Sequence, residues 1–250
     1  MITLYSYPEL FGVADNNGYG LKVFAFMRLT SVMHDRFGKP ASTFPDHALG
    51  LPFAHEHLFD ASAAPRGQLP YIVDDGETIG DSETIVAHLQ AKYRLTIDDE
   101  LTPAQREKNL LIVRMLDDLY WVMSYSRWQD ERYWPVFCAA LMREHPQLYE
   151  PGLVKAKEFN ASRYYYQGIG RFAPEAAYAR GLADLAVLAH LVPEEGYVHG
   201  ARPTSVDAAI YGFIANIYFY DIDTPLKDFV VAHNNLVRHC TAIHALVTQR

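Results

Sequence analysis

Hydrophobic and polar positions follow two different rhythms along the chain, and the change falls at residues 94–103. Before it, short β-favouring runs such as Ile2–Tyr5 alternate with helical patterns, which is typical of an α/β domain. After it, apolar residues recur at helical spacing over long stretches, and no strand–turn rhythm remains. The pattern therefore predicts an α/β domain over 1–93, a linker over 94–103 and an all-helical domain over 104–250.

The first half of the α/β region reads as strand, helix and strand. The strands are predicted at Ile2–Tyr5 and His55–Phe59, and the helix at Leu21–Leu29. A polar, proline-bearing stretch, Lys39–Pro52, separates them and is longer than such a domain usually needs. We expect a surface loop or an interaction feature there, because long loops are often functional.

The segment Arg66–Leu89 packs two strands and a helix into a short length. Tyr71–Val73 and Glu77–Ile79 favour β-structure, and Asp75-Gly76 between them suits a two-residue hairpin. Gly80 ends the second strand, and Asp81 or Ser82 can cap a following helix that carries Ile85, Val86 and Leu89 on one face.

Two details of this segment indicate ligand binding. A cis Leu69–Pro70 bond would turn the Leu69 amide and carbonyl outward, where an extended peptide ligand can pair with them. Asp81-Ser82 stands at a helix start, a position suited to holding an anion. Each detail alone also fits an ordinary edge-strand proline or helix cap.

This segment resembles the glutathione-binding half of a glutathione-transferase N-terminal domain, which has a thioredoxin-like fold. The resemblance implies that Leu69-Pro70 pairs with the cysteinyl backbone of glutathione and that Asp81-Ser82 holds the γ-glutamyl end. Gln68 matches a position where a polar side chain often reaches the glycyl end. It further implies a thioredoxin-like α/β domain followed by an all-α domain, glutathione as co-substrate, and a homodimer.

The helical half carries its own start signals. Thr102 with Pro103 and Gln105 predicts one helix start, and Ala176–Leu191 reads as another long helix. Thr204 and Asp207 form a capping box before the apolar run 208–219, and we assign them no chemistry.

The same half resembles the bacterial branch of metaxin and failed-axon-connections-like transferases. The matching positions comprise a Gly-x-Gly-Arg element and a Gly-x-x-Pro-Thr-x-x-Asp element: Gly168, Gly170, Arg171, Gly200, Pro203, Thr204 and Asp207. Arg171 either faces a ligand or, more simply, caps a helix end or pairs with a carboxylate.

The catalytic position departs from that branch. Its first helix usually opens with Ser-Pro-Phe-Ser/Cys-x-Lys, whereas this chain has Asn-Gly-Tyr-Gly-Leu-Lys at residues 17–22. An Asn17 amide can still stabilise a thiolate, and with the helix N-terminus it would lower a thiol pKa by roughly one to two units. Tyr19 and Tyr7 are the second and third candidate donors. Without a sulfur at position 17, a mixed-disulfide mechanism is disfavoured.

An aromatic cluster supplies a candidate cleft for the second substrate. The resemblance implies that Tyr120, Tyr125 and Trp128 face the space that receives a small hydrophobic electrophile. The alternative is that these rings are core or dimer interface.

Composition narrows the function classes. A net charge of −8 argues against a nucleic-acid partner, and no apolar run approaches the ~20 residues of a membrane span. The N-terminal residues lack a signal-peptide pattern, and two distant cysteines, Cys138 and Cys240, fit a reducing compartment. We therefore expect a cytoplasmic protein. His55 and His57 alone make a weak metal site, so no metal is expected.

Two functions remain from the sequence. One is an enzyme that binds glutathione, stabilises its thiolate and conjugates it to a small hydrophobic electrophile, in the manner of a detoxifying transferase. The other is a non-catalytic glutathione-binding or metaxin-like scaffold. The change at Asn17 favours the second, whereas Leu69-Pro70 and Asp81-Ser82 favour the first.

Overall fold

A computed structural model describes residues 1–37 and 51–248 of the chain. Its N-terminal part is a four-stranded sheet in the order β2-β1-β3-β4 with helices packed on it. The strands are β1 (Ile2–Ser6), β2 (Phe53–His57), β3 (Tyr71–Asp74) and β4 (Glu77–Gly80), and the helices are α1 (Gly18–Phe37) and α2 (Ser82–Tyr93). β1 runs parallel to β2 and antiparallel to β3, so the strand-helix-strand half and the hairpin half share one sheet. This is the expected thioredoxin-like arrangement.

One helix and one strand have bounds that differ clearly from the predicted ones. α1 is much longer than Leu21–Leu29, and it packs against the helical part of the chain as well as the sheet. β2 begins at Phe53 instead of His55, since its register with β1 pairs Phe53 with Ile2. The predicted loop Lys39–Pro52 lies outside the described residues, apart from its last two positions.

The hairpin forms as its turn residues predict. Asp75 and Gly76 both adopt positive φ, 52° and 86°, which a two-residue turn requires. β3 and β4 then pair from Asp74–Glu77 at the turn to Tyr71–Gly80 at the open end.

The remainder is helical, as expected. These helices are α3 (Pro103–Trp128), α4 (Trp134–Glu144), α5 (Glu150–Gln167), α6 (Pro174–Leu191), α7 (Ser205–Tyr218), α8 (Pro225–Val231) and α9 (Asn234–Val247). Thr102 caps α3 in a reciprocal box with Gln105. The domain division at 94–103 stays a prediction.

The second predicted capping box begins α7 deep in the core. Asp207 is fully buried and accepts hydrogen bonds from the backbone amides of Thr204 and Val198, at 2.8 and 3.0 Å. Its Oδ1 also lies 2.9 Å from His239 Nε2. These contacts anchor α7 to the segment before it and to α9.

α7 is the central helix on which the two parts of the chain meet. It packs along α1, and a Cβ at Gly212 would come within 2.5 Å of the Gly18 carbonyl oxygen. The two helices therefore approach closely at the start of α1. No helix within residues 1–37 and 51–248 combines the length and hydropathy needed to cross a bilayer.

Candidate functional site

Three chain segments meet at one edge of the sheet. Tyr5, near the end of β1, pairs with Tyr71, and Tyr71 in turn pairs with Gly80 at the end of β4. The residues just outside these strands, Pro70 and Asp81, are therefore neighbours. α1 begins near the same place, because the loop that follows β1 leads into Asn17 at the helix start.

The Leu69–Pro70 peptide bond is cis. Leu69 is only 7% exposed, yet its amide and carbonyl have no hydrogen-bond partner among the described residues. Buried backbone groups are almost always paired, so this pair is available to an extended ligand backbone. Gln68 precedes it with an exposed side chain.

Asp81 and Ser82 begin α2 as predicted. The Asp81 carboxylate caps the helix by accepting from the Thr84 amide at 3.0 Å, and its backbone takes the unusual φ of 77°. Ser82 is 5% exposed, and its hydroxyl has no partner within the described part of the chain. The helix start therefore presents unfilled donors beside the free backbone of Leu69.

Asn17 lies at the N-terminus of α1. Its Oδ1 accepts from the Tyr19 amide at 3.0 Å, which is a helix-capping contact. Its Nδ2 lies 3.4 Å from the Tyr120 hydroxyl. Because an amide nitrogen carries two protons, one remains available for a bound anion.

The two tyrosine candidates differ. The Tyr19 hydroxyl donates to Asp117 Oδ1 at 3.1 Å, so it is already engaged, and burial together with Asp117 raises its pKa. The Tyr7 hydroxyl has no hydrogen-bond partner among the described residues. Burial, with a smaller effect from Tyr120, raises the pKa of Tyr7 to about 12. Tyr7 is thus a protonated donor at neutral pH.

The predicted cleft aromatics separate into two groups. The Tyr120 hydroxyl lies 3.4 Å from Asn17 Nδ2, and the Tyr120 ring centroid is 4.8 Å from that of Tyr19. Tyr125 packs instead between Tyr164 and Tyr178. Trp128 packs on Trp134 and Phe137. The structure therefore places Tyr120 alone of the three at the candidate site, and the cleft roles of Tyr125 and Trp128 stay predictions.

A second feature borders the α2 start. Lys22 of α1 is buried and pairs with Glu83, the residue after Ser82. Beside this pair lies a cavity of about 230 Å³, between α1, α2, α3 and α7. It adjoins the first turn of α2 and does not include Asn17 among its lining residues. Arg171, the possible ligand-facing cation, instead bonds the Tyr165 carbonyl at the end of α5.

Two arginines that act on candidate site residues were not predicted from the sequence. Arg127 is 4% exposed and donates to the Asn16 carbonyl, directly before Asn17. Arg163 of α5 lies over the Trp121 ring at 5.4 Å, and its charge acts on Tyr7. A lone cation inside the aromatic run 120–128 was the available signal for Arg127, whereas Arg163 is brought close only by the tertiary fold.

Family models match both parts of the chain. Residues 47–133 match the glutathione S-transferase N-terminal domain, and residues 181–243 match a glutathione S-transferase C-terminal domain. The two matches occur in the order of that family.

Curated relatives agree with these matches. The chain is 27% identical over 222 residues to the isoprene-epoxide–glutathione S-transferase of Rhodococcus sp. strain AD45, covering 87% of each chain. It is 24% identical to Failed axon connections of Drosophila melanogaster over 96% of this chain and 56% of that protein. The second relative agrees with the resemblance to the failed-axon-connections-like branch.

Solved structures show the same fold. A glutathione S-transferase from Methylobacterium radiotolerans, in complex with glutathione sulfonate, aligns with a TM-score of 0.58 at 16% identity, covering 98% and 90% of the two chains. The β-etherase LigF from Sphingobium sp. strain SYK-6 aligns with a TM-score of 0.55 at 13% identity, covering 98% of each chain. With both domain matches in order on this fold, the chain belongs to the glutathione S-transferase family.

Proposed function

We propose that this protein is a glutathione transferase that binds glutathione at the sheet edge and conjugates its thiolate to a small hydrophobic electrophile. The backbone of Leu69 pairs with the cysteinyl residue, and Asp81-Ser82 holds the γ-glutamyl end. Gln68 reaches towards the glycyl end. The thiol then lies at the start of α1, beside Asn17.

One observation carries this proposal. The unpaired backbone of Leu69 and the unpaired hydroxyl of Ser82 occur together at the open end of one hairpin. Buried polar groups without partners cost free energy, so a fold that keeps several of them together is prepared for a ligand that satisfies them. A tripeptide with a charged amino-acid end supplies matching backbone groups and an anion.

The chemistry needs a thiolate. A free thiol with a pKa near ~8.5 is only a few per cent ionised at pH 7. The spare Asn17 amide proton and the N-terminus of α1 favour the ionised form. The sulfur then attacks the electrophilic carbon, a carbon–sulfur bond forms, and the bond to the leaving atom breaks with its electron pair.

An epoxide is the electrophile class that the relatives favour, because the Rhodococcus relative is named for isoprene epoxide. Opening an epoxide leaves an alkoxide that must gain a proton. Tyr7 is a protonated hydroxyl without another partner among the described residues, and Arg163 faces it. Tyr7 can therefore donate either to the thiolate or to the departing oxygen.

A non-catalytic glutathione-binding scaffold is the second candidate. Two observations favour it: Asn17 replaces the usual Ser or Cys, and the chain is similar to Failed axon connections. Such a protein would bind glutathione without turnover.

Turnover separates the two candidates. The purified chain is mixed with glutathione and either a small aliphatic epoxide or an aryl halide, and conjugate is measured by mass spectrometry. We expect conjugate above the uncatalysed rate, and a loss of about tenfold or more in kcat/KM for Ser82→Ala. Arg180→Gln, a half-exposed ion-pair residue on α6, is the matched control and should keep full activity. Glutathione binding without conjugate for either electrophile would favour the scaffold.

A further inference from the structure

Arg127 is a buried cation without a carboxylate partner among the described residues. Its Nη1 donates to the Asn16 carbonyl, and its Nη2 donates to the carbonyl and Oδ1 of Asn216, at 2.6 and 3.1 Å. Its Nε has no hydrogen-bond partner within residues 1–37 and 51–248, and the Tyr220 ring covers the guanidinium at 4.5 Å. All of these contacts are neutral.

An unpaired buried charge is costly, and a guanidinium keeps its proton at neutral pH. Burial lowers the pKa of Arg127, whereas the nearby hydroxyls of Tyr220, Tyr120 and Tyr164 act in the opposite direction. Asp15 is the carboxyl group that faces it, and burial raises the pKa of Asp15 well above its usual range. Asp15 Oδ1 accepts from the backbone amide of Asn17, while Oδ2 has no hydrogen-bond partner among the residues that the structure describes. No carboxylate lies within ion-pair distance of the Arg127 guanidinium in the described part of the chain, so its charge has no direct counter-ion.

The Arg127 charge lies close to the N-terminus of α1, where Asn17 is the first candidate for thiol activation. Arg127 holds the carbonyl of Asn16, the residue before Asn17. The Tyr120 hydroxyl contacts the side-chain amide of Asn17. Tyr120 lies on the same face of α3 as Arg127, about two turns earlier. Asn216 reinforces the arrangement, since its Nδ2 donates to the Asp15 carbonyl at 3.1 Å.

We propose that Arg127 is a positioning residue that also supplies the positive charge for thiol activation, in place of the missing Ser or Cys. It fixes the loop that carries Asn17, and its charge stabilises the bound thiolate, which in turn offsets the cost of burying the guanidinium. A fixed charge in a water-poor site acts strongly because no reorganisation is needed when the anion forms. This inference rests on the proposed glutathione site.

Two substitutions remove the charge by different routes. Arg127→Gln replaces the guanidinium by a neutral donor. Asn216→Asp keeps the arginine but places a carboxylate against its Nη2, so the field is neutralised inside the fold. Arg180→Gln removes an arginine that already pairs with Asp118 at the surface and serves as the control.

The readout is the thiol pKa of bound glutathione, measured by titrating the thiolate absorbance of each protein–glutathione complex. We expect Arg127→Gln and Asn216→Asp to raise this pKa by about one unit, which lowers the thiolate fraction at pH 6.5 by up to about tenfold, with no change in Arg180→Gln. A thiol pKa equal to that of the unchanged protein in either folded variant overturns the inference. If Arg127→Gln does not fold by circular dichroism, Asn216→Asp decides. Absence of glutathione binding by the unchanged protein would instead overturn the proposed function.

Discussion

Asn17→Asp should separate helix capping from thiol activation at one position. Asn17 caps α1 with its Oδ1, and its Nδ2 lies against the Tyr120 hydroxyl. In the proposed function, the same Nδ2 faces the thiol. Aspartate has the same shape and keeps a capping oxygen, while it replaces the amide donor by a negative charge. Alanine removes both functions.

The two substitutions should affect stability and the thiol pKa in different ways. Losing the cap in Asn17→Ala costs about 1 kcal/mol of stability, whereas Asn17→Asp keeps the cap and gains a favourable charge at the helix N-terminus. A carboxylate ~4 Å from a thiolate opposes it by about 4 kcal/mol at an effective dielectric constant near 20, and by about 1 kcal/mol in water. Since Asn17 is half-buried, we expect the thiol pKa to rise by about one to two units in Asn17→Asp.

Stability is measured by urea denaturation, and the thiol pKa by thiolate absorbance of the glutathione complex. The Asp variant should be as stable as the unchanged protein but have a clearly higher thiol pKa. An unaltered thiol pKa in a folded, glutathione-bound Asp variant would show that Asn17 does not face the sulfur.

Three further predictions concern other residues. If Tyr7 donates to the thiolate, Tyr7→Phe should raise the thiol pKa. If Tyr7 donates to the departing oxygen, Tyr7→Phe should lower kcat for the epoxide and not for the aryl halide. A thiol pKa and an epoxide kcat equal to those of the unchanged protein would exclude both roles. Asp207→Ala should lower the free energy of unfolding by about 3 kcal/mol or more, because it leaves buried donors unpaired, and a loss under 1 kcal/mol in urea denaturation would contradict this. Burial lowers the pKa of His55 to about 4, so the folded state resists its protonation and stability should fall as pH drops from about 6.5 towards 4. His55→Gln should flatten that fall in urea titrations at several pH values, while exposed His190→Gln should not.

Much of the fold follows from local signals in the sequence. Asp75 and Gly76 both take positive φ, which favours the hairpin turn. Thr102 marks one helix start by accepting from the Gln105 backbone amide, and Asp207 marks another by accepting from the Thr204 backbone amide. Such signals need no knowledge of distant residues. The bounds of α1 and β2 were less predictable, because they depend on packing against α7 and on pairing with β1.

The candidate site likewise has one part that local sequence predicts and another that depends on the tertiary fold. Leu69-Pro70 and Asp81-Ser82 lie within one short segment, so their pattern alone indicates a peptide-binding edge. Arg127 and Asn216 reach the start of α1 from helices more than a hundred residues away in sequence, as their separations of 111 from Asn16 and 201 from Asp15 show. Only the packing of α3 and α7 on α1 brings these groups together. The electrostatics around position 17 were therefore beyond a reading of local patterns.

Calorimetric titration with glutathione shows whether the folded chain has the proposed glutathione site. We expect saturable binding to the unchanged protein at or below millimolar glutathione. The affinity should fall about tenfold in Ser82→Ala, because one hydrogen bond to a charged group contributes roughly 1.5 kcal/mol or more. Arg180→Gln should bind like the unchanged protein. No detectable binding by the folded, unchanged protein at millimolar glutathione would contradict the account.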